Sequence, residues 1–225
     1  VRLWQPAAGE HVRAVVAHHI AFDGESIKPM IADIVTAYLA ESANEEPQFS
    51  PLEVQYADYA IWQHEVLGSP GDPASVIGAQ LSYWQERLAG LPPVLELPTD
   101  RPRPAALSGR GARVTFEVEP DLAGRIRGLA RSAAVTPFMV VHAALTVLLG
   151  KLSGTSDIAI VTPVAGRGQA ALDPLVGMFV NTLVLRTEYD SSDSFRSLLE
   201  SVRRTDLDAF APVSYTHLTL PTTPY

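Results

Sequence analysis

The sequence predicts an α/β fold, because short β-branched runs alternate along the chain with segments of helical periodicity. The run RAVVAHHI at residues 13–20 suits a strand, and the polar turn Asp23-Gly24 separates it from a helix. Of the 225 residues, 47% are hydrophobic and 19% are charged. This composition supplies enough apolar material for one good core or two small ones.

Three helices are predicted in the first half of the chain. The first begins after Ser26, a residue type favoured at the N-cap. Its apolar residues have the spacing of one buried helical face and are Ile27, Met30, Ile31, Ile34, Val35, Tyr38 and Leu39. The second helix is predicted over residues 52–67, after the start signal Pro51, and the third over residues 80–89.

The second half of the chain repeats the alternation of strands and helices. A strand is predicted over residues 113–119 and a helix over residues 121–134. Thr136-Pro137 then opens a helix over residues 138–152 that is apolar on nearly every side and is therefore predicted to be buried. The remaining predicted elements are core strands at 157–163 and 180–187 and an amphipathic helix at 192–208.

A proline-rich segment predicts the domain boundary. Residues 91–104 hold five prolines, so this segment is neither a helix nor a central strand and suits an extended crossover between two lobes. We therefore predict a first-lobe part at residues 1–90, a crossover at 91–110 and a second-lobe part at 111–211. The uncharged, Thr-rich stretch that follows leads us to predict a non-native tail at residues 212–225.

Charge and composition argue against several classes of function. The net charge is −8, from 17 Lys and Arg against 25 Asp and Glu, whereas binding to a phosphate backbone requires a basic surface. The chain has no Cys, which excludes disulfides, thiolate metal sites and a Cys nucleophile. We expect a cytoplasmic protein with neither nucleic acid nor a membrane as a partner, because the sequence has no apolar run of membrane-spanning length and no secretory signal pattern at residues 1–10.

The segment HHIAFDG at residues 18–24 has the strongest chemical content. Successive side chains of a strand point to opposite faces, so His18 and His19 are not expected to share a metal ion. We expect one His to act on a substrate and the other to support it. A lone buried His is more often a core residue, and the neighbouring Asp23 and Gly24 favour a functional role here.

His19, Asp23 and Gly24 form the pattern H-x-x-x-D-G, which resembles the active-site motif of the chloramphenicol-acetyltransferase-like superfamily. With His18, the pattern resembles the third core motif of condensation domains of nonribosomal peptide synthetases. The segments YADYAIW at residues 56–62 and VGMFVNTL at residues 176–183 resemble the fourth and fifth core motifs, in the family's order. The resemblance covers residues 8–210, including the crossover LPTDRPRP.

The resemblance implies a two-lobe chloramphenicol-acetyltransferase-like fold, present here in part, because complete domains are about twice as long. It implies amide bond formation between an upstream acyl or peptidyl thioester and the amine of a downstream aminoacyl thioester. The implied partners are upstream and downstream peptidyl carrier proteins and an adjacent adenylation domain. Phosphopantetheine belongs to the carriers, and no directly bound cofactor or metal is expected. The three-residue gap between His19 and Asp23 resembles that of domains which accept an L-configured donor.

The resemblance also implies roles for individual residues. His19 is expected to face the junction of the lobes, and Asp23 is expected to form a structural ion pair with an Arg. Arg167 is our candidate partner, while Arg113 and Arg131 remain open. Gly24 is expected to permit a tight backbone turn.

Asn181 lies among apolar neighbours, where a buried amide needs partners. Contact with a substrate and capping of a strand end are both open for it. We expect the aromatic residues of segment 56–62 to serve packing rather than catalysis.

Other functions remain open at this stage. An epimerisation domain also carries the double-His motif, and a coenzyme A-dependent acyltransferase belongs to the same superfamily, although segment 176–183 favours condensation over both. A non-catalytic fragment that docks carrier proteins is the alternative from another class. Formation of an amide product from two loaded carrier proteins distinguishes condensation from these alternatives.

Overall fold

The computed structural model describes residues 1–102, 104–106 and 108–210. The chain forms two compact units. Unit 1 consists of Val1–Leu67 and Val164–Asn181, and unit 2 consists of the described residues within 68–163 and 182–210. The predicted lobes and crossover remain predictions, and the described part of residues 91–110 contains neither helix nor strand. The predicted tail at 212–225 lies outside the described residues.

Unit 1 begins with an antiparallel hairpin of β1 (Arg2–Ala7) and β2 (Glu10–Ala14). The predicted strand over residues 13–20 is wrong beyond Ala14. The pairing ends at Arg2↔Ala14, so residues 15–18 have no partner strand within the described structure. A 3-10 helix, His19–Ala21, takes the place of the predicted strand end.

Two helices follow in unit 1, α1 (Ile27–Ser42) and α2 (Tyr56–Leu67). Both confirm predicted helices, although α2 begins four residues later than expected. The segment from Val164 to Asn181 returns to this unit and supplies most of its core. The buried core residues are Tyr59, Leu172, Leu175 and Phe179.

Unit 2 contains four helices and two strands among its described residues. The helices are α3 (Val76–Arg87), α4 (Pro120–Ser132), α5 (Pro137–Ser153) and α6 (Phe195–Phe210). Strands β3 (Asp157–Val164) and β4 (Asn181–Glu188) pair in a two-stranded sheet. These elements confirm the predicted ones within a few residues. Helices α4, α5 and α6 build the core around Ala143, Leu199 and Val202.

Helix α5 begins as the sequence predicts. The Thr136 hydroxyl accepts a hydrogen bond from the Met139 N–H at 3.2 Å, and Pro137 occupies the first turn. The prediction that this helix is buried on every side is wrong. Its outer side chains Val141 and Leu148 are 54% and 53% exposed, because α4 and α6 cover only one of its faces in the described structure.

The predicted strand at residues 113–119 is also absent. The segment is described throughout and has no regular structure, and its side chains are exposed. A β-branched run forms a strand only beside a partner, and no described strand pairs with it.

No single described helix is long and apolar enough to span a membrane. Helices α4 and α5 meet those criteria of length and composition only as a pair, and that pair is bent by 103°.

Candidate active site

The two histidines of the motif lie at the start of the 3-10 helix rather than on a strand. His18 is the residue before this helix, and its Nδ1 accepts the Ile20 N–H at 3.1 Å. The His18 ring is therefore bound to its own turn and orients the backbone. His19 is exposed, and its ring has no hydrogen-bond partner in the described part of the chain. Both imidazoles are exposed, and His19 is the one whose two ring nitrogens make no hydrogen bond to the described residues.

The Asp23 carboxylate is buried, with 1% of the residue exposed. Its Oδ1 accepts from the Ser26 backbone N–H at 2.9 Å and from the Ser26 hydroxyl at 2.7 Å. Its Oδ2 accepts from the Phe179 N–H at 2.9 Å. Asp23 also donates its own N–H to the Gly177 carbonyl at 3.1 Å. The backbone N–H and the carboxylate of Asp23 therefore both connect the motif turn to the fifth motif, residues 176–183.

Arg167 is the ion-pair partner of Asp23, with 3.3 Å between Nη2 and Oδ1. Its Nη1 donates to the carbonyls of Leu172 and Leu175. Its guanidinium also lies 4.1 Å from the centre of the Phe179 ring, in cation–π geometry. Arg167 thus joins Asp23 to the turn at 172–175. Arg167, Asp23, Ser26, Gly177 and Phe179 are called the Asp23 cluster below.

The cluster keeps Asp23 ionised. Burial acts to raise the pKa of Asp23, but the Ser26 hydroxyl, the N–H groups of Phe179 and Ser26, and the Arg167 charge together lower it below its ordinary value of 3.8. The hydrogen bonds contribute more than the ion pair, since the Arg167 contact is the longest of the four. The expected ion pair with Arg167 is therefore only one of the contacts that hold the Asp23 carboxylate in place.

The Ser26 hydroxyl lies at the centre of the cluster and was missed by sequence reasoning, which treated Ser26 only as a helix cap. Ser26 is 0% exposed, and its hydroxyl makes no capping bond to α1. It instead accepts from the Gly177 N–H at 3.0 Å and from Arg167 Nη2 at 3.1 Å. The missing capping bond could not be predicted from the sequence near Ser26, because it depends on contacts with Arg167 and Gly177, which are distant in sequence.

Aromatic residues of the fourth and fifth motifs pack together beside the cluster. The Phe179 ring lies 5.1 Å from the Tyr56 ring and 4.9 Å from the Tyr59 ring, measured between ring centres. Tyr56 donates its hydroxyl to the Met178 carbonyl at 2.8 Å. Burial raises the pKa of Tyr59 to about 12, so this phenol stays neutral near neutral pH. The third, fourth and fifth motifs thus converge within unit 1.

Gly24 lies in the predicted turn, where its carbonyl accepts the Ile27 N–H at 3.3 Å, but the turn does not require glycine at this position. Gly24 does not have a positive φ, and an added Cβ would meet no atom within 4 Å. Gly177 is different, because a Cβ there would overlap the Tyr56 ring. The close backbone approach in this site therefore requires glycine at Gly177, whereas Gly24 leaves open space beside the motif.

Two further features complete the description of unit 1. Asn181 is the first residue of β4 and is 5% exposed. Contact with a substrate and capping of a strand end both stay predictions for this residue. A cleft of about 900 Å³ lies along α1, where Lys28, Tyr56 and Arg167 are among its lining residues. Within the described residues, His19 does not line this cleft, and no cluster of three or more His, Asp or Glu side chains could hold a metal ion.

A family model for condensation domains matches residues 1–219. The chain belongs to the condensation domain family. This match spans the three motifs that converge on the Asp23 cluster.

Similar proteins include two bacterial synthases. The condensation domain chain is 48% identical over 208 residues to an isonitrile lipopeptide synthase of Mycobacterium tuberculosis, covering 92% of this chain and 8% of that protein. It is 47% identical over 201 residues to a dimodular nonribosomal peptide synthase of Bacillus subtilis, covering 89% of this chain and 8% of that protein.

A solved structure extends the likeness to the fold. The condensation domain chain superposes on the X-domain from teicoplanin biosynthesis with a TM-score of 0.86 at 30% identity. The match covers 94% of this chain and 47% of the X-domain chain. The chain therefore spans about half of that chloramphenicol-acetyltransferase-like fold.

Proposed function

We propose that the condensation domain containing this chain joins two carrier-bound substrates through an amide bond in nonribosomal peptide biosynthesis. The observation that carries the proposal is an exposed imidazole, His19, on a turn whose following residues are fixed by the buried Asp23 cluster. A nonribosomal peptide synthase and a lipopeptide synthase among the similar proteins support the same reaction.

The substrates proposed are two thioesters on phosphopantetheine arms. An upstream peptidyl carrier protein presents the acyl or peptidyl group, and a downstream one presents the aminoacyl group. The arms belong to the carriers, so the chain itself needs no resident cofactor. An adjacent adenylation domain is the proposed source of the activated amino acid.

The reaction exchanges one acyl bond for another. The amine nitrogen attacks the thioester carbonyl carbon, a C–N bond forms, and the nitrogen becomes cationic. His19 takes the proton from that nitrogen. The C–S bond then breaks, and the departing thiolate takes up one proton, which balances the proton that His19 removed, to become the upstream carrier's free thiol.

The proton transfer matters more in the transition state than before it. A free α-amine has a pKa of about 7.7 to 8.0, so removing its proton near neutral pH costs no more than about 1 to 1.5 kcal/mol. A base is therefore hardly needed to create the nucleophile. An imidazole is more useful once attack begins, because it can accept the proton of the cationic nitrogen or align the amine by a hydrogen bond.

Asp23 and Arg167 act on the reaction indirectly in this proposal. Asp23 is 1% exposed, and the hydrogen bonds of its carboxylate go to protein groups, so it holds the turn that carries His19. His18 supports the same turn through the Ile20 N–H.

The test uses the complete domain that contains this chain, together with one acyl-loaded and one aminoacyl-loaded carrier protein. Mass spectrometry of the carriers reports the product. We expect the acyl group to move onto the downstream carrier through a new amide bond, and we expect His19→Ala to bind both carriers without forming product.

Three results would contradict the proposal. Carrier binding without product in the wild-type domain indicates a docking role. Inversion of a stereocentre without amide formation indicates epimerisation. Acyl transfer from coenzyme A but not from a carrier indicates the related acyltransferase activity.

A further inference from the structure

Ser26 occupies the N-cap position of α1 but does not act as a cap. Its side chain makes no hydrogen bond to the first turn of the helix. Ser75 and Thr136 occupy the same position in α3 and α5, and their hydroxyls accept the Gly78 and Met139 N–H groups at 3.0 and 3.2 Å. Of these three hydroxyls, that of Ser26 alone makes no capping bond.

The hydrogen-bonding capacity of the Ser26 hydroxyl is completely used. A Ser hydroxyl has one proton and two lone pairs. The proton has two acceptors in reach, Asp23 Oδ1 at 2.7 Å and the Gly177 carbonyl at 2.8 Å. The ionised carboxylate is the stronger acceptor, and the Gly177 carbonyl already receives the Asp23 N–H. The lone pairs accept from the Gly177 N–H at 3.0 Å and from Arg167 at 3.1 Å, and the Asp23 N–H makes a longer contact at 3.4 Å.

The hydroxyl therefore links three parts of unit 1 that are far apart in sequence. Ser26 and Gly177 are separated by 151 residues, and Ser26 and Arg167 by 141. Asp23 also contacts Arg167 and Phe179, but only the Ser26 oxygen contacts Asp23, Arg167 and Gly177 together among the described side chains.

We propose that Ser26 is a positioning residue for condensation: its hydroxyl fixes the motif turn against Gly177 and Arg167, and through that turn it sets the place of His19. This inference rests on the proposed function. Ser26 is fully buried and touches no substrate in this proposal, so its effect on the rate passes through Asp23 and the backbone of residues 19–23.

Substitutions separate this role from that of a cap. Asn is as good an N-cap as Ser, so Ser26→Asn would be harmless if the residue only started α1. The Asn side chain is longer than the fully buried Ser side chain that it replaces, and it cannot reproduce one donor and two acceptors on a single oxygen. Ser26→Ala removes the oxygen and leaves the Gly177 N–H without its acceptor.

The experiment measures the single-turnover rate of amide formation, and the Kd for each loaded carrier, in the complete domain. Thr136→Ala is the matched control, because it removes a true cap from unit 2. We expect Ser26→Ala and Ser26→Asn to reduce the rate about 10- to 100-fold, with carrier Kd values unchanged, as for a small misplacement of a reacting group. Thr136→Ala should retain the wild-type rate.

Hydrogen exchange at the Gly177 amide gives a readout that does not depend on activity. We expect its protection to fall in Ser26→Ala while amides of α5 keep theirs. If the wild-type domain forms no amide, the proposed function fails, and Gly177 exchange still tests the linking role of the hydroxyl.

The inference is overturned if Ser26→Asn is as fast as wild type, since Ser26 would then be only a cap. It is also overturned if Ser26→Ala keeps both its rate and the protection of Gly177. If Ser26→Ala does not fold, Ser26→Cys provides the same comparison, because it keeps nearly the same volume and hydrogen-bonds weakly.

Discussion

Asp23 of unit 1 and Asp206 of unit 2 are both buried aspartates beside a basic side chain, but they are held differently. Four donor groups surround the Asp23 carboxylate, and both of its oxygens are bonded. Asp206 lies 2.9 Å from His142 Nδ1, and its second oxygen has no hydrogen-bond partner among the described residues. The His142 Nε2 is likewise buried without a partner there.

The difference between the contacts of Asp23 and Asp206 shows that burial of a charged group does not by itself indicate a functional site. The Asp23 contacts join segments about 150 residues apart and fix a turn with an exposed imidazole. The Asp206 contact joins two neighbouring helices, α5 and α6, inside a hydrophobic core. We infer that the first arrangement serves the reaction and that the second serves folding.

The largest expected effect is the loss of the Asp23 carboxylate. Asp23→Ala leaves Arg167 buried without its counter-charge, and we expect the free energy of unfolding to fall by about 3 to 5 kcal/mol. Asp206→Ala removes one contact to His142 and should cost about 1 to 3 kcal/mol. Denaturant unfolding of the complete domain measures both. Asp23→Ala with unchanged stability but a lost rate would instead indicate a direct catalytic role.

Two glycines of unit 1 give the next comparison. Gly177→Ala forces a methyl group into the Tyr56 ring, and we expect it to lower the free energy of unfolding by about 1 to 3 kcal/mol. Gly24→Ala meets no atom within 4 Å and should change it by less than about 0.5 kcal/mol. Thermal and denaturant unfolding report the difference. Equal losses would mean that the packing at Gly177 is not as tight as described.

Acid should weaken the Asp23 cluster. Because the pKa of Asp23 in the folded state lies below its ordinary value of 3.8, its contribution to stability is complete above that value. The contribution is lost as the pH falls through the folded-state pKa. Stability measured against pH should therefore fall more steeply below about pH 4 in wild type than in Asp23→Asn, by at most about 1.4 kcal/mol per pH unit. Parallel curves would contradict the lowered pKa.

The smallest expected effect is at a true helix cap. Thr136→Ala removes the acceptor for the Met139 N–H, and we expect it to cost about 1 kcal/mol of stability. Denaturant unfolding measures this loss. A loss of several kcal/mol would mean that Thr136 does more than cap α5.

Local signals predicted most elements of the fold. The Thr136-Pro137 pair marks the start of α5, and apolar periodicity marks α1, because these signals lie within one turn of the residues they affect. The prediction of a strand at residues 113–119 was wrong, because a strand forms beside a partner strand and a local pattern does not show whether a partner is present. The prediction that α5 is buried on every side was wrong for a similar reason, because a local pattern does not show which faces of a helix other elements cover.

The site was predictable only in part. The motif pattern predicts His19 and Asp23 as site residues, and Arg167, the candidate partner of Asp23, lies against it in the structure. The role of Ser26 and the close approach of Gly177 to Tyr56 depend on contacts between residues more than 100 positions apart. A single sequence contains no local signal for such contacts.

The most direct test of the central claim compares Asp23→Asn with Asp206→Asn in the complete domain. The single-turnover rate of amide formation is measured per folded molecule, with both carriers saturating. We predict that Asp23→Asn slows the reaction by about 100-fold, because the turn that carries His19 is displaced, and that Asp206→Asn keeps the wild-type rate. Equal rates for the two variants would contradict the claim that the Asp23 cluster serves the reaction.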